Sequence, residues 1–455
     1  MKDSGKFERA KGIGHVPIIK NEFIQKKLQD FHIVTQKVID EVPENLIFNL
    51  KNEIEMQNLP EYILSFDGSG SEIQIDERFP STRIGYVQIA AVLVFLTKMI
   101  ELEKRQFIDP IKLKMATNES LYSIVLPGSN IREKTCEDLQ DSWRLNIYQI
   151  FKDYIIENQQ LLDIFWDLLT YSGFQDQRYQ RIFNDKVRLA RCSANETCEG
   201  SIDVPIEGYQ CPNCDSDIYP TDILRVHEEI NSLQSNEGPL HRVMNLLEHI
   251  NLIGYLRYLI SRRPEVLGKM AFIIDGPLAI FGPQAWVHRA IFHFINENIF
   301  KKLQTKGIDC PVILGIDKTG NFAEHASIIS KFLEPQTLMV LTEDYIYDYV
   351  LSSKLPQSGL YGSETYYGQR LFYKTKNNQM LTLTIPLLKK EKLSIDVVTE
   401  HPALLRTLKL LDHIGTILYK DAVIPVALAH SFASIPLGMG SKVLKLLTQE
   451  YMDIN

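Results

Sequence analysis

Three continuous apolar runs along this chain each stop at an aspartate followed by turn residues. Met270 to Ile274 runs into Asp275-Gly276-Pro277, Tyr62 to Phe66 into Asp67-Gly68-Ser69-Gly70, and Pro311 to Ile316 into Asp317-Lys318-Thr319-Gly320. Runs of this length closed by turn residues predict strands buried on both faces. A carboxylate at the end of such a strand is costly without a partner, and a metal ion is one such partner. If the strands are parallel neighbours, Asp67 and Asp275 lie side by side and share a divalent cation. The alternative is that both Asp-Gly pairs are ordinary turns.

Elsewhere the apolar positions mostly recur at helical spacing. Asn21 to Asp40 and Asn45 to Met56 predict two N-terminal helices after a loose polar start at residues 1–20. Ile73 to Asp76 and Arg83 to Leu96 predict further strands, so that an antiparallel meander begins at Asp67. Residues 98–190 are expected to be mainly helical, with the clearest stripe between Leu145 and Leu169. Leu240 to Ile260 is apolar nearly all round, the pattern of a buried helix, yet it carries Glu248 in its middle. A buried glutamate needs a metal or an arginine beside it. Pro264 separates that helix from the strand ending at Asp275. Strands alternating with helices in this way make an α/β protein.

The chain has 455 residues, 45% of them hydrophobic, with a net charge of −8. That excludes a polycation coating nucleic acid but leaves room for a local basic groove. No apolar signal region opens the chain, no run is long enough to span a bilayer, and six cysteines make no disulfide scaffold, so the cytoplasm is expected. No GxxxxGK[ST] loop is present, so the chain is not expected to hydrolyse ATP.

Cys192, Cys198, Cys211 and Cys214 fall within twenty-three residues. The last two form a CPNC knuckle that lets both thiolates face one ion; the first two are spaced more widely than usual. A closed structural Zn2+ ribbon is the expectation. Two stretches combine cations with aromatics. Arg178 to Arg191 is a nucleic-acid contact or a solvated face. Tyr361 to Lys376, with Tyr367, Arg370 and Lys374, is a base-stacking platform or an ordinary β-hairpin.

The ordered set Asp67-Gly68-Ser69, Glu248, Asp275-Gly276-Pro277-Leu278, Lys318 and Ala429-His430 resembles the NurA nucleases over roughly residues 60–445. That resemblance implies an RNase H-like mixed sheet flanked by helices, with a small zinc ribbon inserted. It also implies DNA as substrate, Mn2+ or Mg2+ at Asp67, Asp275 and Glu248, a homodimer enclosing DNA, and a hexameric HerA-type translocase as partner. His430 is then a metal ligand or proton carrier, and Lys318 steadies the phosphate. Glu228 and Glu229 compete with Glu248 for the third acid. The chain divides into an N-terminal helical arm (1–58), the first part of the nuclease core with a helical insertion (59–190), the ribbon (191–217) and the second part of the core (218–455). The rival from another class is a non-catalytic DNA clamp subunit of a translocase.

Overall fold

The computed structural model describes residues 15–33, 39–103, 117–174, 176–351, 360–389, 393, 395–415, 423–435 and 439–452. Parts of the expected loose terminus (1–14) and of the first expected helix (34–38) lie outside them.

The centre is a nine-stranded mixed sheet. Its strands are β1 (Ile47–Asn49), β2 (Tyr62–Gln74), β3 (Arg83–Phe95), β4 (Thr117–Pro127), β5 (Met270–Asp275), β6 (Val312–Asp317), β7 (Thr337–Val340), β8 (Gly368–Lys374) and β9 (Met380–Pro386). They stand in the order β1-β7-β8-β9-β6-β5-β2-β3-β4. β2 and β6 both run parallel to β5, and every other pairing is antiparallel. The three apolar runs that end in aspartate are therefore the three central parallel strands.

Alternation along these strands feeds two cores. Leu64, Phe66, Phe272 and Ile274 point to one face. There they meet helices α2 (Leu139–Asp153), α3 (Leu161–Tyr171), α4 (Glu237–Arg262) and α5 (Val287–His293). Ile63, Ala271, Ile273, Leu314 and Ile316 point to the other, against α6 (Leu404–Ile414) and α7 (Ile424–Ala433). Helix α1 (Glu22–Gln29) precedes the sheet and α8 (Met439–Tyr451) follows α7.

Three expectations change. Asp67 does not end its strand: β2 runs unbroken through it to Gln74, because β3 pairs with it residue for residue, Asp67 opposite Ala90 and Gly70 opposite Val87. The region 98–190 is not mainly helical throughout, since Thr117–Pro127 alternates and joins the sheet edge as β4. The helix expected over Asn45 to Met56 is divided: a 3-10 turn, Glu44–Leu46, leads into Ile47–Asn49, which adds to the far edge of the sheet, and only Lys51–Glu55 is α-helical. The buried helix expected at Leu240 to Ile260 is α4. No helix among the described residues is long and apolar enough to cross a membrane.

Candidate metal centre

Strand register brings the two aspartates together. Phe66 pairs with Ile274, so the next residue on each parallel strand, Asp67 and Asp275, stand side by side on the face that packs against α7. Ser65 ties that helix down, its hydroxyl donating to the Pro425 carbonyl at 2.7 Å. One turn on, His430 Nδ1 lies 2.8 Å from Asp67 Oδ2. Ligand atoms of Asp67, Asp275 and His430 lie within 4.8 Å of one another. Lys318, just past β6, places Nζ 2.5 Å from Asp275 Oδ2. Gly276, at φ +112°, turns the chain away immediately after Asp275.

Glu248 arrives from the opposite face. Its helix, α4, lies over β2, and the glycines of DGSG let it come close. A Cβ on Gly68 would sit 2.5 Å from Glu248 Oε1 and 2.7 Å from Met244 Cγ. The Gly68 N–H donates to Asp67 Oδ1 at 2.9 Å and lies near enough to Glu248 to favour its charged form a little. One amide thus lies beside both carboxylates.

The electrostatics follow from this crowding. Asp67 is 5% exposed and Glu248 4%. Burial, and then the Asp275 charge, push Asp67 up to about 6, although His430 and Lys318 pull it back. Burial, followed by Asp67 and Asp275, holds Glu248 well above the usual carboxylate range. Buried acids that repel one another in this way fit a divalent cation. An all-oxygen carboxylate set with one imidazole suits a hard ion such as Mn2+ or Mg2+ better than a thiophilic one.

The rival acids are elsewhere. Glu228 is held by Arg225 at 2.6 Å, with Arg191 at 3.8 Å, and Glu229 pairs with Arg242. His430 has a side chain 60% exposed. Two contributors were not singled out from the sequence. Gly68 is one. The other is His241, one heptad before Glu248 on α4, whose Nε2 reaches the Gly70 carbonyl at 3.3 Å. The spacing 241-244-248 is the signal that marks the face of α4 lying on DGSG.

Of the aromatic and basic stretch, Gly368–Lys374 is strand β8, paired with β9 within the sheet, and Tyr361 to Tyr367 precede it. Tyr367 offers no face to a base: it is fully buried, its hydroxyl 2.5 Å from His249 Nδ1. Lys374 is spent on the carbonyls of Ser330 and Leu333, at 2.9 and 2.7 Å, and offers no phosphate contact as placed. Arg370 is buried against Asp317 at 2.9 Å and donates to the Tyr361 hydroxyl at 2.6 Å. Asp317 is therefore matched by an arginine and lies outside the carboxylate group.

The four cysteines do converge. Cys192 and Cys214 are 3.9 Å apart at sulfur, as are Cys198 and Cys211, and all four sulfurs lie within 4.8 Å of one another. The Ser216 hydroxyl and N–H bring the Cys214 thiol down to about 6, which favours a thiolate. Small strands frame the group: Ile182–Phe183, Lys186–Leu189 and Ile202–Val204 form one sheet, and Tyr209–Gln210 and Asp217–Ile218 form another.

No family model matches the chain, and no curated protein matches it. Among solved structures it is similar to the crystal structure of the NurA nuclease from Sulfolobus solfataricus. The identity is 10% and the TM-score 0.34, covering 98% of this chain and 99% of that one. It is also similar to the crystal structure of NurA with manganese, at 10% identity and a TM-score of 0.26, covering 96% and 98%. The chain thus resembles NurA nuclease structures over nearly its whole length, at low TM-score and low identity.

Proposed function

We propose that the protein is a metal-dependent DNA nuclease hydrolysing phosphodiester bonds, as an exonuclease, a single-strand endonuclease or both. The observation that carries this reading is the convergence of Asp67, Asp275 and His430, from three elements far apart in sequence, on one face of the two central strands, with Glu248 near enough from the other face to feel both aspartate charges. An RNase H-like core is supported by the order β4-β3-β2-β5-β6, a three-strand antiparallel meander extended by two parallel strands.

A hard divalent cation, Mn2+ or Mg2+, when bound here supplies Lewis acidity at the phosphate and lowers the pKa of an attacking water. Asp67 and Asp275 would hold it, and Glu248, near enough to feel both their charges, would add the third carboxylate. The Gly68 amide lies beside both Asp67 and Glu248. Lys318 compensates part of the Asp275 charge and presents a cation to the scissile phosphate. His430, held through Nδ1 by Asp67 and open to solvent, takes or gives a proton at the reacting water or the leaving oxygen. The cysteine cluster holds one Zn2+ with no open position, a structural site. A HerA-type hexameric translocase would supply the motor that a chain without a P-loop lacks, and a homodimer would enclose the DNA.

The test is end-labelled linear DNA incubated with Mn2+ or with EDTA, with and without a HerA-type partner. Cleavage is expected with Mn2+ alone. Asp67→Ala or Asp275→Ala is expected to lower it by about 10²–10³-fold or more, with the fold retained by circular dichroism. Full cleavage in either variant at the same metal concentration would overturn the site. DNA bound but never cut under any of these conditions would make the protein a clamp subunit instead.

A further inference from the structure

On the Glu248 face of the sheet lies a cavity of about 400 Å³, lined among others by Tyr179, Arg289, His293, Tyr361, Tyr366 and Arg370. It backs onto the loop that leaves Asp275. Ala279 bridges Tyr366, and the Ile280 N–H donates to the Thr365 carbonyl at 3.0 Å. A second link runs from Arg370 in its wall to Asp317, the residue before Lys318. Both connections that leave Asp275 and Asp317 are therefore tied to residues of or beside its wall.

Its wall is aromatic, and one of its cations is in no close ion pair. Tyr361 and Tyr366 lie with ring centroids 5.6 Å apart, and the Arg370 guanidinium, already matched by Asp317, sits 5.0 Å over Tyr366. Arg289 differs. Its guanidinium lies 3.8 Å over the Tyr179 ring and has no ion-pair partner among the described residues. Arg181 lies close enough for the two charges to repel, with its own guanidinium 4.8 Å over Trp286 and its Nε buried without a hydrogen-bond partner. Of the acids at the rim, Asp176 is engaged by Arg178 at 2.6 Å, and Glu364 is exposed. An arginine in no close ion pair, with Asp176 acting on it only at longer range and a second arginine nearby, beside aromatic rings, fits an anion that carries a flat ring. The volume falls within the roughly 300–1,000 Å³ of small-ligand sites.

We propose that this cavity binds a nucleoside monophosphate unit, its phosphate on Arg289 and its base against Tyr366 and Tyr361. The unit is either a free nucleotide or the terminal nucleotide of a strand. The strand-end version rests on the nuclease reading above; the free-nucleotide version does not.

The full chain, without added divalent cation, is titrated with dAMP, dTMP and inorganic phosphate, and with a single-stranded oligonucleotide carrying or lacking a terminal phosphate. Saturable binding of the mononucleotides is expected, at least tenfold tighter than phosphate and weakened at least tenfold by Arg289→Gln. Irradiated 5-iodo-dUMP on the unaltered protein is expected to crosslink at Tyr361 or Tyr366, a readout independent of any variant's folding. Competition by the phosphorylated oligonucleotide assigns the cavity to a strand end; binding of dAMP without that competition assigns it to a free nucleotide. Neither ligand binding saturably, phosphate binding as tightly as dAMP, or crosslinks confined to other sites overturns the proposal. Intact mononucleotide binding in a protein that cuts no DNA would overturn the nuclease reading and leave this one standing.

Discussion

The carboxylate centre and the cysteine cluster are two gatherings of metal-type ligands built by opposite means. The cysteines come from one short stretch, lie close together and are mostly buried among apolar residues: Cys192, Cys198 and Cys211 pack in the same core as Val187, Val204 and Ile218. The carboxylates come from residues 67, 248 and 275, joined only by strand register and by a helix crossing a glycine. A protonated thiol is neutral and tolerates burial. A buried carboxylate group is under mutual repulsion until it gains a proton or a cation. Removing metal should therefore loosen the cysteine module and merely discharge the carboxylate centre.

The largest expected effect tests that contrast directly. Cys211→Ser with Cys214→Ser should release about one zinc per chain, read by elemental analysis, and expose residues 192–214 to proteolysis. The binding free energy at stake in such sites is on the order of 10 kcal/mol. The small strands pack on α2, where Arg144 makes a buried pair with Asp222 at 2.7 Å and donates to the Asp217 carbonyl at 2.6 Å. The damage should therefore reach α2 while Mn2+-dependent cleavage partly persists. A metal-free preparation with four titratable thiols and a protease-resistant segment would remove the contrast.

Next in size is the pH dependence of the apoprotein. Asp67 is raised from 3.8 to about 6 in the folded state. The folded chain thus holds this proton after the unfolded chain has lost it. As pH rises from about 4 to about 6, stability falls, by about 3 kcal/mol in total from this group. Asp67→Asn should accordingly raise the melting temperature of the metal-free protein at pH 8, with the gain vanishing near pH 4. Added Mn2+ should stabilise the unaltered protein and leave the variant little changed. A variant less stable than the unaltered apoprotein at pH 8 would mean that the carboxylates are not under repulsion.

How much of this was legible in the sequence depends on whether the signal is local. The cysteine spacing and the three apolar runs closed by aspartate are local, and each reappears as an element. That Glu248 needs a partner was readable from a charge in an apolar helix, but its choice over Glu228 and Glu229 required knowing which helix crosses β2. The continuation of β2 past Asp67 was hidden because Gly68 and Gly70 look like a turn; a paired strand and an approaching helix override that preference. Tyr367 and Lys374 show the converse. Composition marked them as a platform, and pairing with β9 and the core consumed them, while Arg289, alone in an apolar helix, gave no motif at all.

A smaller effect sharpens the role of the glycine. Gly68→Ala places a methyl where Glu248 Oε1 and Met244 lie. Both are side-chain atoms that can move, so the fold should survive with a modest loss of stability. The carboxylate would be displaced from beside the Gly68 amide, and the loss of cleavage should be about 10–100-fold, the usual size for a group that positions a ligand. Restored activity at higher Mn2+ would fit a weakened metal site; an unchanged rate at every Mn2+ concentration would show that Glu248 does not act there.

The last pair of variants separates the third acid from its competitors, with the smallest expected effect at Glu228. Glu248→Gln keeps the volume, removes the charge and should cost most of the activity with little change in melting temperature. Glu228→Gln removes a partly exposed carboxylate whose partners are Arg225 and Arg191. Pairs of that kind contribute about 0–1 kcal/mol, so the melting temperature should shift by a degree or two at most and the cleavage rate not at all. Arg225 sits at φ +58°, in the turn before α4. The pair therefore belongs to the packing of that turn beside the cysteine module, not to the two central strands where Asp67 and Asp275 meet. If Glu228→Gln or Glu229→Gln abolished cleavage while Glu248→Gln did not, the helix that supplies the third ligand would have been misassigned, and the long-range half of the comparison would have to be rebuilt around the 226–229 turn.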